Sequence, residues 1–302
     1  MRLMFALFLS CLLFSPAHAA LRVLACEPEW AALIEELAGD RAEVTVATSP
    51  TQDPHQVQAR PSLISAARRA DLAVCTGADL EVGWLPVLLN KGANPKIRTE
   101  PGLFLAAEHV SLLDVRESVS RSEGDVHAAG NPHFHLDPRR MLQVAQALAA
   151  RLTELDPNGA ADYQANRERL ERDWTALLEQ LANSAINLEG LQVVVHHANF
   201  RYLLDWLNME TMASLEPRPG VPPSPGHLSS LVDQVDNSEA RLILYTDYNG
   251  DRAARWLAEQ SGLCAVKLPF TVGAVDNTES LGALYRYLVA SLVTATEQCP
   301  SE

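Results

Sequence analysis

The 302-residue sequence predicts an α/β protein of two lobes, each with a parallel sheet flanked by helices. One long rigid helix is expected to join them, with a metal site in the cleft between. Three observations carry this reading. Short apolar runs alternate with helical stretches in both halves, the βαβ rhythm of a parallel sheet. From Pro157 to about Ile186 no second proline occurs, and Leu170, Trp174, Leu177, Leu178 and Leu181 recur at helical intervals. Histidines stand at the edges of the predicted elements: His55, the pair in Pro132-His133-Phe134-His135-Leu136-Asp137-Pro138, and His196-His197.

The elements follow in chain order. In residues 1–19, Arg2 supplies a positive start, 3–14 an apolar core and Ala17-His18-Ala19 a small-residue cleavage site, together a cleavable signal peptide for export to the periplasm. Its apolar core is shorter than the roughly 20 residues a membrane span needs. Residues 20–156 form the first lobe, with strands at 22–26, 44–47 and 71–75 and helices at 30–37, 61–69 and 78–90. A loop and strand follow at 97–105, a polar irregular loop at 108–130, and a helix at 136–155. That helix stops at Asp156-Pro157-Asn158-Gly159, where Asp156 can cap and Pro157 can open the next helix. Residues 157–189 are the linking helix; thirty helical residues span ~45 Å, more than one small lobe needs. Residues 190–302 form the second lobe, with strands at 191–195, 241–246 and 263–268 and helices at 200–207, 227–236, 252–260 and 278–296. Residues 216–226 hold five prolines and read as an ordered surface loop.

Charge and cysteine content narrow the function classes. The formal net charge is −14, and loss of Arg2 with the leader takes it to −15. An acidic exported chain is a poor partner for nucleic acid or anionic lipid, and a monomer is expected. Cys26, Cys75, Cys264 and Cys299 remain after cleavage, with no CxxC pair to suggest a thiolate zinc site. Export permits disulfides. The expected bond is Cys264–Cys299, because it would pin a chain end that otherwise frays. Cys26–Cys75 is the competing pair, and buried free thiols are the alternative to both.

Prolines beside His55 and around His133 hold short segments out of regular structure. Imidazoles held that way have few rotamers to lose on coordinating a metal. In open parallel sheets, ligands bind outside the carboxyl ends of the strands. His55 follows strand 44–47, His196-His197 follow 191–195, Asp247 ends 241–246, and Asp276 lies in the loop after 263–268. The convergence predicts one metal centre assembled from distant parts of the chain. His227, ahead of a predicted helix, reads as a cap or surface residue.

These residues also carry a family resemblance. Asp53-Pro54-His55 with Pro61-Ser62, Ala70-Asp71-Leu72 and the 77–85 segment (Gly77-Ala78-Asp79-Leu80-Glu81-Val82-Gly83-Trp84-Leu85) resembles the first lobe of the metal-binding ABC-transporter solute-binding proteins. The Pro132–Pro138 motif resembles that family's proline-histidine-x-tryptophan-leucine-x-proline segment. Asp156-Pro157, Tyr163 and Asn166 match the start of its long helix. His197-Ala198-Asn199-Phe200-Arg201-Tyr202 is similar to its third ligand motif. The resemblance implies His55, His133 and His197 as ligands, with His135 in the tryptophan position as a packing or supporting residue. It places the fourth ligand near 270–274, where Asp276 is the nearest acid; Asp247, His135 and water are the alternatives.

Three imidazoles and at most one carboxylate favour Zn2+, whereas manganese prefers oxygen donors. Manganese carriers of the family replace the third His by Glu, which this chain does not do at His197. The expected function is periplasmic capture of zinc and its delivery to an inner-membrane ABC permease with its ATPase, a metallochaperone being a further possible partner. The alternatives are a zinc hydrolase, for which no HExxH motif is present, and a manganese-binding or adhesin-type relative. No enzyme activity is expected.

Overall fold

The computed structural model describes residues 20–119, 123–124 and 126–299. The expected signal peptide, residues 1–19, lies outside them. In the first sheet, β1 (Leu21–Ala25) sits between β2 (Ala42–Val46) and β3 (Leu72–Cys75), with β4 (Leu103–Leu105) beyond β3, all parallel. The register sets Val23 beside Val44 on one side and Leu72 on the other. The second sheet repeats the same order, with β5 (Gln192–Val195) between β6 (Glu210–Ser214) and β7 (Ala240–Tyr245), and β8 (Cys264–Lys267) outermost, again all parallel. Central strands such as Leu72-Ala73-Val74-Cys75 are buried throughout, as expected where helices cover both faces of a parallel sheet.

The helices that cover them are α1 (Pro28–Ala38), α2 (Pro61–Arg69), α3 (Leu85–Gly92) and α4 (Pro138–Leu155) in the first half. The second half holds α6 (Arg201–Trp206), α7 (Pro225–Val235), α8 (Arg252–Ser261) and α9 (Leu281–Gln298). Proline opens α1, α2, α4 and α7, where a missing N–H costs nothing and the fixed φ suits the first turn. Asp137 caps α4 by accepting from the Arg139 backbone N–H at 2.9 Å.

α5 (Ala160–Ser184) lies between the halves. It buries Tyr163, Leu170, Trp174, Leu177 and Leu181, one stripe at helical spacing, and packs against α1, α4 and α9. Its start is fastened to the first half. The Tyr163 hydroxyl donates to Asp156 at 2.9 Å, Asn166 Nδ2 donates to the Leu37 carbonyl at 2.9 Å, and Arg41 bridges Asp156 and Asp162. A single apolar cluster runs from Val23 and Val74 through Trp30, Leu37, Leu148 and Trp174 to Val193, Val195 and Tyr285. Smaller clusters sit under the outer faces of each sheet. No helix of the described residues is long and apolar enough to cross a membrane.

Four local expectations change. The long helix is 25 residues and not thirty, because Pro157–Gly159 is a separate 3-10 turn ahead of it. The helix expected from residue 78 begins only at Leu85. Gly77, Ala78 and Asp79 take positive φ, and Glu81 folds back to accept from the Thr76 and Gly77 amides at 2.6 and 3.0 Å. Strand β6, Glu-Thr-Met-Ala-Ser, was not foreseen; it lies at a sheet edge, half exposed, with no apolar run to announce it. The two disulfides posed as rivals both form: Cys26–Cys75 joins the ends of neighbouring strands, and Cys264–Cys299 joins the start of β8 to the end of α9.

Candidate metal centre

His55, His133 and His197 come from three distant segments, yet one ring nitrogen from each lies within 4.8 Å of the others. The ring centroids of His55 and His133, His55 and His197, and His133 and His197 are 5.5, 6.0 and 5.9 Å apart.

His55 sits in the loop after β2. Asp53 Oδ1 accepts from the His55 backbone amide at 2.9 Å and meets its Nδ1 at 2.8 Å. Trp84 Nε1 donates to the Pro54 carbonyl at 2.9 Å, so the turn is pinned from below as well. Burial, the largest single influence, pushes the Asp53 carboxyl upward, but the side-chain and backbone hydrogen bonds from His55 and the charges of His55 and His197 together outweigh it and hold that carboxyl below its ordinary range.

His197 lies two residues beyond β5, the strand at which the order of the second sheet reverses. Such a switch point leaves a crevice at the carboxyl ends of the strands. Its Nδ1 meets Glu216 Oε2 at 2.7 Å, and Glu216 is in turn fixed by the Gly220 amide at 2.9 Å. With Asp53 and Glu216 on the two Nδ1 atoms, Nε2 is the nitrogen that His55 and His197 have left for a metal.

His133 is 1% exposed, and its Nδ1 meets no hydrogen-bond partner among the described residues. Burial, followed by the neighbouring imidazoles, pushes its pKa well below the ordinary value. It is therefore neutral, as a metal ligand must be. Its backbone amide donates to Asn131 Oδ1 at 3.0 Å, and Asn131 Nδ2 donates to the Ala198 carbonyl at 2.8 Å. The Tyr202 hydroxyl, five residues past His197, closes the set: it donates to the Asn131 carbonyl at 2.7 Å and accepts from the Leu113 amide at 2.8 Å. The segments that carry His133 and His197 are thus bonded to each other directly.

The remaining expected residues fall elsewhere. Asp276 is exposed in a turn after β8 that is closed by a hydrogen bond from the Gly273 amide to the Thr278 carbonyl, and it is not among the grouped donors. Asp247 is paired with Lys267 at 2.8 Å. His135 is buried behind the cluster: its Nε2 donates to the Phe270 carbonyl at 2.9 Å, its carbonyl accepts from the Tyr285 hydroxyl at 2.8 Å, and Nδ1 stands 3.4 Å from Glu29. Phe270 then packs its ring edge-on against His133, centroids 5.1 Å apart. His135 shapes the pocket wall from behind.

Two residues were missed. Glu216 is recognisable in retrospect only as an acid heading the proline-rich loop. His127, from the polar 108–130 loop, brings its Nε2 to 3.3 Å from Nε2 of His55, with the rings stacked. Two nitrogens on one tetrahedral zinc, at 2.0–2.1 Å each, stand roughly 3.3–3.4 Å apart. Nothing in the polar sequence around His127 marks it for this position.

The model of a family described as "Zinc-uptake complex component A periplasmic" (ZnuA) matches residues 23–295. The chain is 22% identical to the metal ABC transporter substrate-binding lipoprotein SsaB of Streptococcus sanguinis, over 94% of this chain and 90% of that protein. It is 23% identical to the high-affinity zinc uptake system protein ZnuA of Paracoccus denitrificans, over 78% and 79%, and 24% identical to the manganese-binding lipoprotein MntA of Halalkalibacterium halodurans, over 67% and 63%. Among solved structures, a ZnuA crystal structure superposes with a TM-score of 0.78 at 21% identity, covering 92% of this chain and 99% of that one.

Proposed function

This chain belongs to the ZnuA family of metal ABC transporter substrate-binding proteins, which are transport components and not enzymes, and we propose that its cargo is zinc. It captures the ion outside the inner membrane and hands it to an ABC permease driven by an ATPase. Relatives are named for zinc and for manganese alike, so the choice of metal rests on this chain's own donors.

The observation that carries the reading is the nitrogen-only cluster of His55, His133 and His197, two of them oriented through Nδ1 by carboxylates. Zinc takes imidazole readily and is content with four ligands, whereas manganese favours oxygen donors. Asp53 and Glu216 offset part of the ion's charge without spending a coordination position. We assign the fourth position to His127 in place of Asp276, on the strength of the 3.3 Å approach to His55; water fills it when the loop is drawn back.

Calorimetric competition on the mature protein at neutral pH tests this. Zinc is expected to bind orders of magnitude more tightly than manganese, and equal or reversed affinities overturn the assignment. His55→Ala, His133→Ala and His197→Ala are each expected to weaken zinc binding by more than about 100-fold, since losing a direct ligand exceeds the 10–100-fold typical of an outer-shell partner. His127→Ala should have a smaller effect and Asp276→Ala none.

A further inference from the structure

Glu29 lies in the first turn of α1, beside Trp30 of the apolar cluster that both sheets share, and is 1% exposed. Burying a carboxyl is costly unless both its oxygens are bonded, and Glu29 is only half provided for. Its Oε2 accepts from the Thr271 hydroxyl at 2.5 Å, a contact that reaches from the first half of the chain to the second. Its Oε1 has no aligned donor among the described residues and faces Nδ1 of the buried His135 at 3.4 Å. Stability alone does not explain such a group, because apolar residues of similar volume commonly replace buried ionic ones at no loss.

The groups it touches converge on Phe270. Thr271 is the next residue, and His135 donates through Nε2 to the Phe270 carbonyl at 2.9 Å, so Glu29 holds this short segment from two sides. The Phe270 ring stands edge-on to His135, His133 and Tyr248, with centroids 4.8, 5.1 and 5.6 Å away. The Tyr248 hydroxyl in turn accepts from Asn199 Nδ2 at 3.1 Å, two residues past His197. Asp53 and Glu216 orient His55 and His197 through Nδ1, but Nδ1 of His133 meets no partner among the described residues. Packing must therefore orient the His133 ring, and the edge of Phe270 is part of that packing. We propose that Glu29 is a positioning residue for the metal: by holding Phe270 and Thr271 of the second half against His135 of the first, it sets the angle at which His133 meets the ion. The proposal rests on the reading above of His133 as a ligand.

Two variants of nearly unchanged volume test it in the mature protein. Glu29→Gln keeps an oxygen for Thr271 and removes the charge that faces His135; Thr271→Val removes the hydroxyl and reads the same contact from the other half. Zinc affinity is measured by competition against a chelator, and Co2+ replaces zinc as a probe whose visible absorption follows ligand geometry. Each variant is expected to lower zinc affinity by about 10-fold or more, the scale of an outer partner of a ligand, and to change the Co2+ spectrum. A merely structural role would lower the melting temperature of the metal-free protein and leave that spectrum alone. The double variant should lose less than the two single losses combined, because both act through one segment. In a His133→Ala background Glu29→Gln should cost nothing further. An unchanged Co2+ spectrum or zinc affinity in either folded variant overturns the proposal, as do full additivity in the double variant and an undiminished effect without His133. If His133→Ala itself leaves zinc affinity untouched, the ligand set falls, whatever Glu29 does.

Discussion

At the scale of single residues, the centre is governed by what holds each imidazole. Glu216 on Nδ1 of His197 and Asp53 on Nδ1 of His55 fix the tautomer, so the Nε2 lone pair is the one presented. Glu216→Ala and Asp53→Ala are therefore each expected to cost about 10–100-fold in zinc affinity while leaving the fold intact. Glu216→Gln, which keeps an acceptor but not the charge, should cost less than Glu216→Ala. Competition against a fluorescent chelator reads all three, and an unchanged affinity in Glu216→Ala would show that His197 is oriented by something else. His133 needs no such partner, because burial, followed by the neighbouring imidazoles, keeps it neutral and the tie between Asn131 and Ala198 fixes its backbone.

Among the elements, the turn between β3 and α3 carries the clearest dependence on pH. Burial raises the Glu81 carboxyl to about 7, even though the Gly77 and Thr76 amides pull it down. Glu27, against it, is raised well above its ordinary value by burial and then by the charges of Glu81 and Glu29. Both groups bind protons more tightly folded than unfolded, so their contribution is greatest at low pH and is lost as pH rises from about 4.5 through about 7. Glu81→Gln keeps an oxygen for the two amides and removes the ionisation. Its melting temperature should fall less than that of the unaltered protein between pH 5 and pH 8, by about 2–4 °C for each kcal/mol of penalty removed. Parallel curves would refute the assignment. The same turn shows where sequence reading gave out. Residues 78–90 have helical spacing, and only the back-folded Glu81 and the positive φ of three consecutive residues delay the helix to Leu85. The prolines at 54, 132 and 138 did mark the His55 and His133 segments, because proline acts on local backbone. Glu216 and His127 reach the centre through loops whose paths depend on tertiary contacts, and no local pattern encodes those. Strand β6 was hidden for a related reason: an edge strand need not be apolar.

For the whole molecule, α5 packs on α1 and α4 from the first half and on α9 from the second, a brace of 25 residues, ~38 Å long. Zinc binding is accordingly expected to order the loops near His55 and His127 without rotating one half against the other. Small-angle scattering profiles with and without zinc should coincide, and a clear contraction would refute the brace. Saturation should still raise stability, by about 4 kcal/mol at a free zinc concentration 1,000 times Kd. The apolar cluster shared by both sheets has a further consequence, for how the protein comes apart. Val23 and Val74 in one sheet, Val193 and Val195 in the other, and Trp174 between them belong to one continuous packing unit. Neither half can expose its inner face without stripping that of the other. Two halves that look like separate domains should therefore melt in a single calorimetric transition, with a van't Hoff enthalpy that matches the heat absorbed.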